Sequence, residues 1–289
     1  MSDLNPQGLR RMLTLRQFPL FESADLDELA TVAENLVETT IPEGTVIATA
    51  GSRLRAVQLI LEGRIETKPR GQTWREKQVF GALEVFADRE FAHTAVAATE
   101  LHTLQLSAHD IGEVLEDNFG VLLTTLRELA GRVLAAPPPQ RICTCQFSGT
   151  PLGLVERLIL LRQQLPFTAA RLQALATLAH ASDEVQWPAG TVIVRAGDPA
   201  TGGWILIDGT ARSVNSEQSR VLEPGAAIGH IETLAGREHT ATVETTMPVR
   251  ALRSSASAIF DVLEDHTDVG LAMMSTFAGA LLDATARLN

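Results

Sequence analysis

The spacing of apolar residues changes period twice along the first half of the chain, and the same changes recur in the second half. Leu26, Leu29, Ala33 and Leu36 follow the three-to-four spacing of a helix buried along one face, and so do Leu172, Leu175 and Ala179. After each helix come short β-rich runs broken by glycine: TVIATAG and VQLILEGRIET, then TVIVRAG and GWILIDGTARSV. Short strands at regular spacing with glycine turns predict a closed or sandwiched antiparallel barrel. Each half then returns to helix. Ser107 with Asp110 reads as a capping signature ahead of Val114, Leu115, Phe119, Leu122, Leu126 and Val133. Helix, about eight strands, helix, taken twice, predicts an α+β chain. Each half holds a jelly-roll-like β-roll flanked by N- and C-terminal helices.

The recurrence is a duplication. At a shift of 146 residues FESADLDELATVA (Phe21–Ala33) lies over FTAARLQALATLA (Phe167–Ala179), and IPEGTVIATAG (Ile41–Gly51) over WPAGTVIVRAG (Trp187–Gly197). Pro42/Pro188, Gly44/Gly190, Gly51/Gly197 and Gly63/Gly209 coincide; VLED recurs at Val114–Asp117 and Val262–Asp265, now at a shift of 148. Pro137 to Pro139 cannot continue a helix and favour an extended spacer. The expected organisation is a first domain over 1–136, a proline-rich linker over 137–150 and a second domain over 151–289.

Composition narrows the function. Lys+Arg number 24 against 35 Asp+Glu, a formal net charge of −11, whereas nucleic-acid readers carry a basic footprint. No nucleic-acid partner is expected. Nor is a transcription factor expected, since the sequence as it runs to Asn289 shows no helix-turn-helix after the last helix. The N-terminus MSDLNPQG has neither a charged nor an apolar leader region, and no uncharged run is longer than the fourteen residues of Val269–Leu282. A membrane span needs ~20 apolar residues. The expectation is a cytoplasmic protein with no membrane partner. Cys143 and Cys145 are half a metal site at best and read as reduced thiols in the linker; His230, Glu232 and His239 match no metal spacing. With no nucleophile–base pair, Walker loop or paired carboxylates at motif spacing, the chain is expected to be non-enzymatic.

The pattern Pro-x-Gly-x-x-Ile…Gly, then ILEG (Ile60–Gly63), a glycine-opened short helix and a Thr-Val strand, resembles the cyclic-nucleotide-binding domain. That module occurs in the catabolite activator protein and in regulatory subunits of cyclic-AMP-dependent protein kinase; two copies in tandem look most like the latter. The resemblance spans roughly residues 17–134 and 150–289. It implies a regulatory, signalling role and a phosphate-binding cassette reading approximately F-G-E-L-A-L-L-x-x-x-P-R-A-A-T-V. There a glycine opens a short helix whose N–H groups face the cyclic phosphate, an arginine adds a charged contact and a glutamate takes the ribose hydroxyl.

In IGHIETLAGREHTATVE (Ile228–Glu244) His230 stands where the glutamate belongs, Glu238 where proline does and His239 where arginine does. The first copy, VFGALEVFADREFAHTAVA (Val79–Ala97), has Ala82 for the glutamate and, counted back from Val96, Ala92 for the arginine. That count gives a loop one residue longer, which lets Arg89 reach inward. A hydrogen bond to a charged group is worth roughly 1.5–3 kcal/mol, so losing both anchors weakens a cyclic nucleotide by orders of magnitude. Candidate ligand residues in the second copy are Gly229, His230, Ile231, Arg237, His239, Thr240 and Thr242; in the first they are Gly81, Ala82, Arg89, Ala92, His93 and Thr94. A protonated imidazole donates to phosphate, so a pocket holding the two histidines would bind anions in a pH-dependent way.

Arg10-Arg11-Met12-Leu13 is of the pseudosubstrate type, but leucine stands at its critical position and adjacent arginines are commonly a solvated helix face. In the last helix Val269, Met273, Phe277, Leu281 and Ala284 make one apolar stripe, with Met274 beside it. A helix apolar nearly all round is buried on more than one side. Val269, Met273, Met274, Phe277 and Leu281 are therefore the expected interface, with a homodimer or another protein partner. Two functions stand: an adaptor acting through protein–protein interaction without ordinary cyclic-nucleotide binding, or a sensor of a cyclic nucleotide or other anion in the second domain.

Overall fold

Capping and patterning set the element boundaries. Asp25 opens its helix with a full capping box, its carboxylate accepting from the Glu28 N–H while Glu28 reaches back to the Asp25 N–H. Ser107 and Ser255 each accept the N–H three residues on, at 3.1 Å, which turns the last strand of each barrel straight into helix. The computed structural model describes residues 6–18, 21, 24–69, 71–135, 151–216 and 218–287; the cysteines and the proline-rich linker lie outside these.

The first half runs α1 (Pro6–Leu15), α2 (Leu26–Glu34), β1 (Val37–Ile41), β2 (Val46–Ala48), β3 (Ala56–Glu62), β4 (Ile65–Lys68), β5 (Thr73–Trp74), β6 (Val79–Phe80), α3 (Ala82–Ala87), β7 (Thr94–Ala97), β8 (Leu101–Ser107), α4 (Ala108–Asp117) and α5 (Phe119–Ala135). The second repeats it: α6 (Leu154–Arg162), a 3-10 turn (Leu165–Phe167), α7 (Leu172–His180), β9 (Asp183–Trp187), β10 (Val192–Val194), β11 (Gly202–Asp208), β12 (Ala211–Val214), β13 (Ser219–Leu222), β14 (Ala227–Ile228), α8 (His230–Ala235), β15 (Thr242–Thr245), β16 (Val249–Ser255), α9 (Ala256–Asp265) and α10 (Thr267–Arg287). The fold is α+β. Sheets β1-β8-β3-β6 and β2-β7-β4-β5 in the first half match β9-β16-β11-β14 and β10-β15-β12-β13 in the second, all antiparallel. By internal contacts the chain forms two compact units, Met1–Thr125 with Leu281–Asn289, and Leu126–Ala280.

Each barrel closes over its own core. In the first, Ala48, Ile60, Ile65, Phe80, Phe91, Ala95 and Leu101 meet from both sheets, and Phe80 stacks edge-on against Trp74 and Phe91. In the second, Val194, Trp204, Leu206, Ile228, Val243 and Ala251 fill the same space. Gly63 and Gly209 need their positive φ, because a Cβ there would strike the carbonyls of Glu100 and Pro248 at 2.3 and 2.1 Å.

The repeat extends back through α1 and α6. Arg157 donates to the carbonyls of Leu152, Ala179 and Ser182 at 2.7–3.2 Å, closing the C-terminal end of α7, and its guanidinium lies 3.6 Å from the Glu184 carboxylate. Arg11, at the equivalent position, donates to Ala33, the last buried alanine of α2. Arg11 of the Arg-Arg stretch is thus a helix-end clamp. Replacing Arg157 by alanine leaves three half-buried carbonyls with one donor fewer, and is expected to cost ~2 kcal/mol in urea unfolding. Arg11→Ala is expected to cost less, having one such bond.

One helix, α10, is long and apolar enough to cross a membrane by length and composition. Val269, Met273, Met274, Phe277 and Leu281, the expected interface, are all 7% exposed or less. The chain itself fills that stripe, which leaves no free face there for a partner. Its period reads the same whether the covering surface is the chain's own or another's.

Candidate functional site

The two cassettes are built alike, residue for residue. Gly81 and Gly229 adopt left-handed φ of 82° and 79° and open the six-residue helices α3 and α8. Asp88 and Gly236 close them, also left-handed. The amide of Arg89 then bonds Glu84, as that of Arg237 bonds Glu232, at 2.9 and 3.0 Å. Glu90 bridges Arg53 as Glu238 bridges Pro199. The first loop is therefore no longer than the second, and the expected register of the first cassette is corrected by one residue. Phe91, not Ala92, stands at the position of His239: the Gly51 amide bonds the Phe91 carbonyl as the Gly197 amide bonds that of His239. Ala92 is exposed, beside half-buried His93.

The expected site residues scatter. His239 is buried beside the cap of α8: a Cβ at Gly229 would lie 2.9 Å from its Cε1 and 3.3 Å from Cζ3 of Trp204. The indole and imidazole centroids are 6.2 Å apart. His230 faces other neighbours. Its ring lies edge-on to Phe167 at 5.9 Å and so close over β11 that a Cβ at Gly203 would stand 2.4 Å from it. Among the described residues neither ring nitrogen has a hydrogen-bond partner, and burial pushes its pKa down to about 4. The two histidines that the sequence places across one pocket thus pack against different neighbours, His230 against Phe167 and Gly203, His239 against Trp204 and Gly229.

The remaining candidates are occupied locally. Thr240 donates to the Glu232 carboxylate, Thr242 accepts from the Ala196 amide at 3.0 Å, and Thr94 accepts from the Ala50 amide at 3.4 Å. Ile231 and Ala82 are half-buried on their short helices. Arg237 is exposed, its guanidinium 3.1 Å from where a Cβ on Gly131 of α5 would stand. Arg89 pairs with Asp283 at 2.5 Å, and that hydrogen bond holds the Asp283 carboxyl below the usual carboxylate range. Neither cassette arginine points into its barrel.

Residues outside the cassettes decide what the barrels can hold. Gln58 pairs with Gln105 and Phe80 as Trp204 pairs with Arg253 and Ile228, so Gln58 and Trp204 are equivalent and both face inward. In the first unit Gln58 is buried, accepts from Thr103 at 2.8 Å and lines a cleft of about 270 Å³ with Thr49, Arg53, Leu54, Arg55 and Gln105. In the second, the Trp204 side chain is 8% exposed among the barrel core, its indole N–H unpartnered among the described residues. The signal was the change from AVQ to GGW at a shift of 146.

The model of the cyclic nucleotide-binding domain matches residues 184–266. No curated protein matches the chain. Among solved structures it is similar to the regulatory subunit of a cAMP-independent protein kinase A from Trypanosoma brucei (16% identity over 93% of this chain and 91% of that one, TM-score 0.38). It is similar also to the regulatory domain of Toxoplasma gondii protein kinase A with cAMP (15% identity, 91% and 97%, TM-score 0.37). A cyclic nucleotide-binding-like protein from Brucella abortus covers 38% of this chain with 98% of its own (22% identity, TM-score 0.35). Residues 184–266 thus match the cyclic nucleotide-binding domain, and the first unit repeats the same order and pairing of strands.

Proposed function

We propose that the chain is a non-enzymatic regulatory protein whose two cyclic-nucleotide-binding-like domains, 1–136 and 151–289, act through protein–protein interaction rather than by ordinary binding of cyclic AMP. The observation that carries this reading is the filling of the second barrel. Trp204 and His239 crowd the glycine cap at which a cyclic phosphate would dock, and His230 and His239 stand in place of the two anchors. A ligand would have to displace a buried indole, which forfeits about 2–3 kcal/mol of apolar burial before any contact is made.

A specific observation favours a second reading, a sensor of a cyclic nucleotide or other anionic ligand. The first barrel keeps an open cleft with Gln58, Gln105 and two arginines on its walls, which moves the sensor from the second domain to the first. Thermal unfolding with cyclic AMP, cyclic GMP and cyclic dinucleotides at pH 6 and 8 separates the two. A ligand at a hundred times its Kd stabilises by ~2.7 kcal/mol, well within detection. The adaptor reading expects no shift with any of them, for the wild type and His239→Arg alike. A shift that Gln58→Trp removes establishes the sensor.

A further inference from the structure

Helices α1 and α2 of the first unit, and α6 and α7 of the second, leave the same positions apolar and exposed. Leu9, Leu13 and Leu26 are 48%, 59% and 59% exposed; their equivalents at the 146-residue shift, Val155, Ile159 and Leu172, are 67%, 39% and 63% exposed. Single exposed aliphatics are ordinary. Six at three matched positions are not, because neighbouring residues on the same helices have diverged: Arg10 became Glu156 and Asp27 became Gln173. Leu9 and Leu13, like Val155 and Ile159, are four residues apart and share one helix face.

From this recurrence we infer that these helix pairs are the chain's self-association surface, the first unit's α1–α2 pair docking on the α6–α7 pair of a second copy. The charge pattern selects this pairing over like-on-like contact. Arg10 lies beside Leu9 and Leu13, and Glu156 holds the equivalent place beside Val155 and Ile159. An α1–α2 pair against an α6–α7 pair brings guanidinium to carboxylate, whereas α1–α2 against itself brings two arginines together and α6–α7 against itself two glutamates. Asp25 and Arg171, the other oppositely charged equivalents, are spent within the chain, one capping α2 and one 3.1 Å from Asp268. Where such unlike surfaces meet about a two-fold axis, the contact is made twice and the assembly closes at two chains. The inference gives the protein-interaction reading a surface and a partner, and rests on that reading only for its regulatory meaning.

Light scattering on the full chain, over about 1–100 µM, tests it in the range where interfaces of this class associate. The expected mass is twice 31.1 kDa. Leu13→Glu and Ile159→Glu are each expected to give a folded monomer with the circular dichroism of the wild type, since both side chains are solvent-facing. Arg10→Glu is expected to raise the dimer Kd by about tenfold and Arg10→Glu/Glu156→Arg to restore it. A wild type that stays monomeric throughout overturns the inference, as does a dimer that tolerates both glutamate variants. Neither result bears on nucleotide binding, which the thermal shifts read separately.

Discussion

Replacing Gly203 by valine is expected to destabilise the second unit by about 3 kcal/mol, and replacing His230 by alanine in the same chain to recover most of that loss. A Cβ on Gly203 would stand 2.4 Å from both Cδ2 and Cγ of the His230 ring, well inside contact distance, and valine adds two methyl groups beyond it. The ring has little room to give way, being 2% exposed and packed edge-on against Phe167. The first unit holds the complementary solution, with Val57 at the position of Gly203 and Ala82 at that of His230. One repeat is large on the strand and small on the helix; the other is the reverse. Copying the first repeat's pair into the second conserves volume, so the double variant should lie within ~1 kcal/mol of wild type in denaturant unfolding. His230→Ala alone leaves a cavity and should cost ~2 kcal/mol. Strictly additive losses in the double variant would show that the two residues do not share one space.

Acid is expected to weaken the protein through the same side chain. In the folded state His230 takes up a proton only near pH 4, because burial disfavours the charged ring and no acceptor among the described residues compensates it, whereas the unfolded chain binds that proton near 6.5. Between these values the unfolded state holds more protons. The stability is therefore complete above about pH 6.5, declines as pH falls through the window and levels off below about 4. At ~1.36 kcal/mol for each pH unit crossed, the full loss is about 3 kcal/mol. Urea unfolding from pH 4 to 8 should show this slope in the wild type, lessened by about one proton in His230→Leu. An unchanged slope in that variant would mean that the acid sensitivity lies elsewhere.

The duplication, the α+β class and the helix–barrel–helix order were legible because glycine turns and period changes recur at a fixed shift. The glycine-opened helices were legible too, since Gly81 and Gly229 must turn left-handed where any side chain would be strained. The register of the first cassette was not. Val96 and Val243 look like the same Thr-Val strand position, but Val96 faces outward and Ala95 inward, while Val243 faces inward. Matching valine to valine slips the strand by one residue and moves every side chain to the other face. The dipeptide Arg-Glu at 89–90 and 237–238, at the 148-residue shift that VLED already gave, carried the true register. The histidines misled for a related reason. Sequence position assigns a residue to a cassette, but its side-chain direction depends on what lies across from it, here a glycine in a neighbouring strand. Trp204, which decides the occupancy of the second barrel, lies outside the cassette altogether.

The distinction between a domain of this family and a binder of its ligand turns on that occupancy. Family membership gives the second domain its strand order and cap geometry, and the side chains inside the barrel set what can enter. Isothermal titration of cyclic AMP and cyclic GMP into the full wild-type chain at pH 6 and 8 tests this most directly. With Trp204 and His239 against the Gly229 cap, Arg89 paired with Asp283 and Arg237 exposed beside α5, the expected result is no saturable heat below about 1 mM ligand, equivalent to binding weaker than ~4 kcal/mol. A saturable isotherm in the micromolar range for either nucleotide would contradict the account.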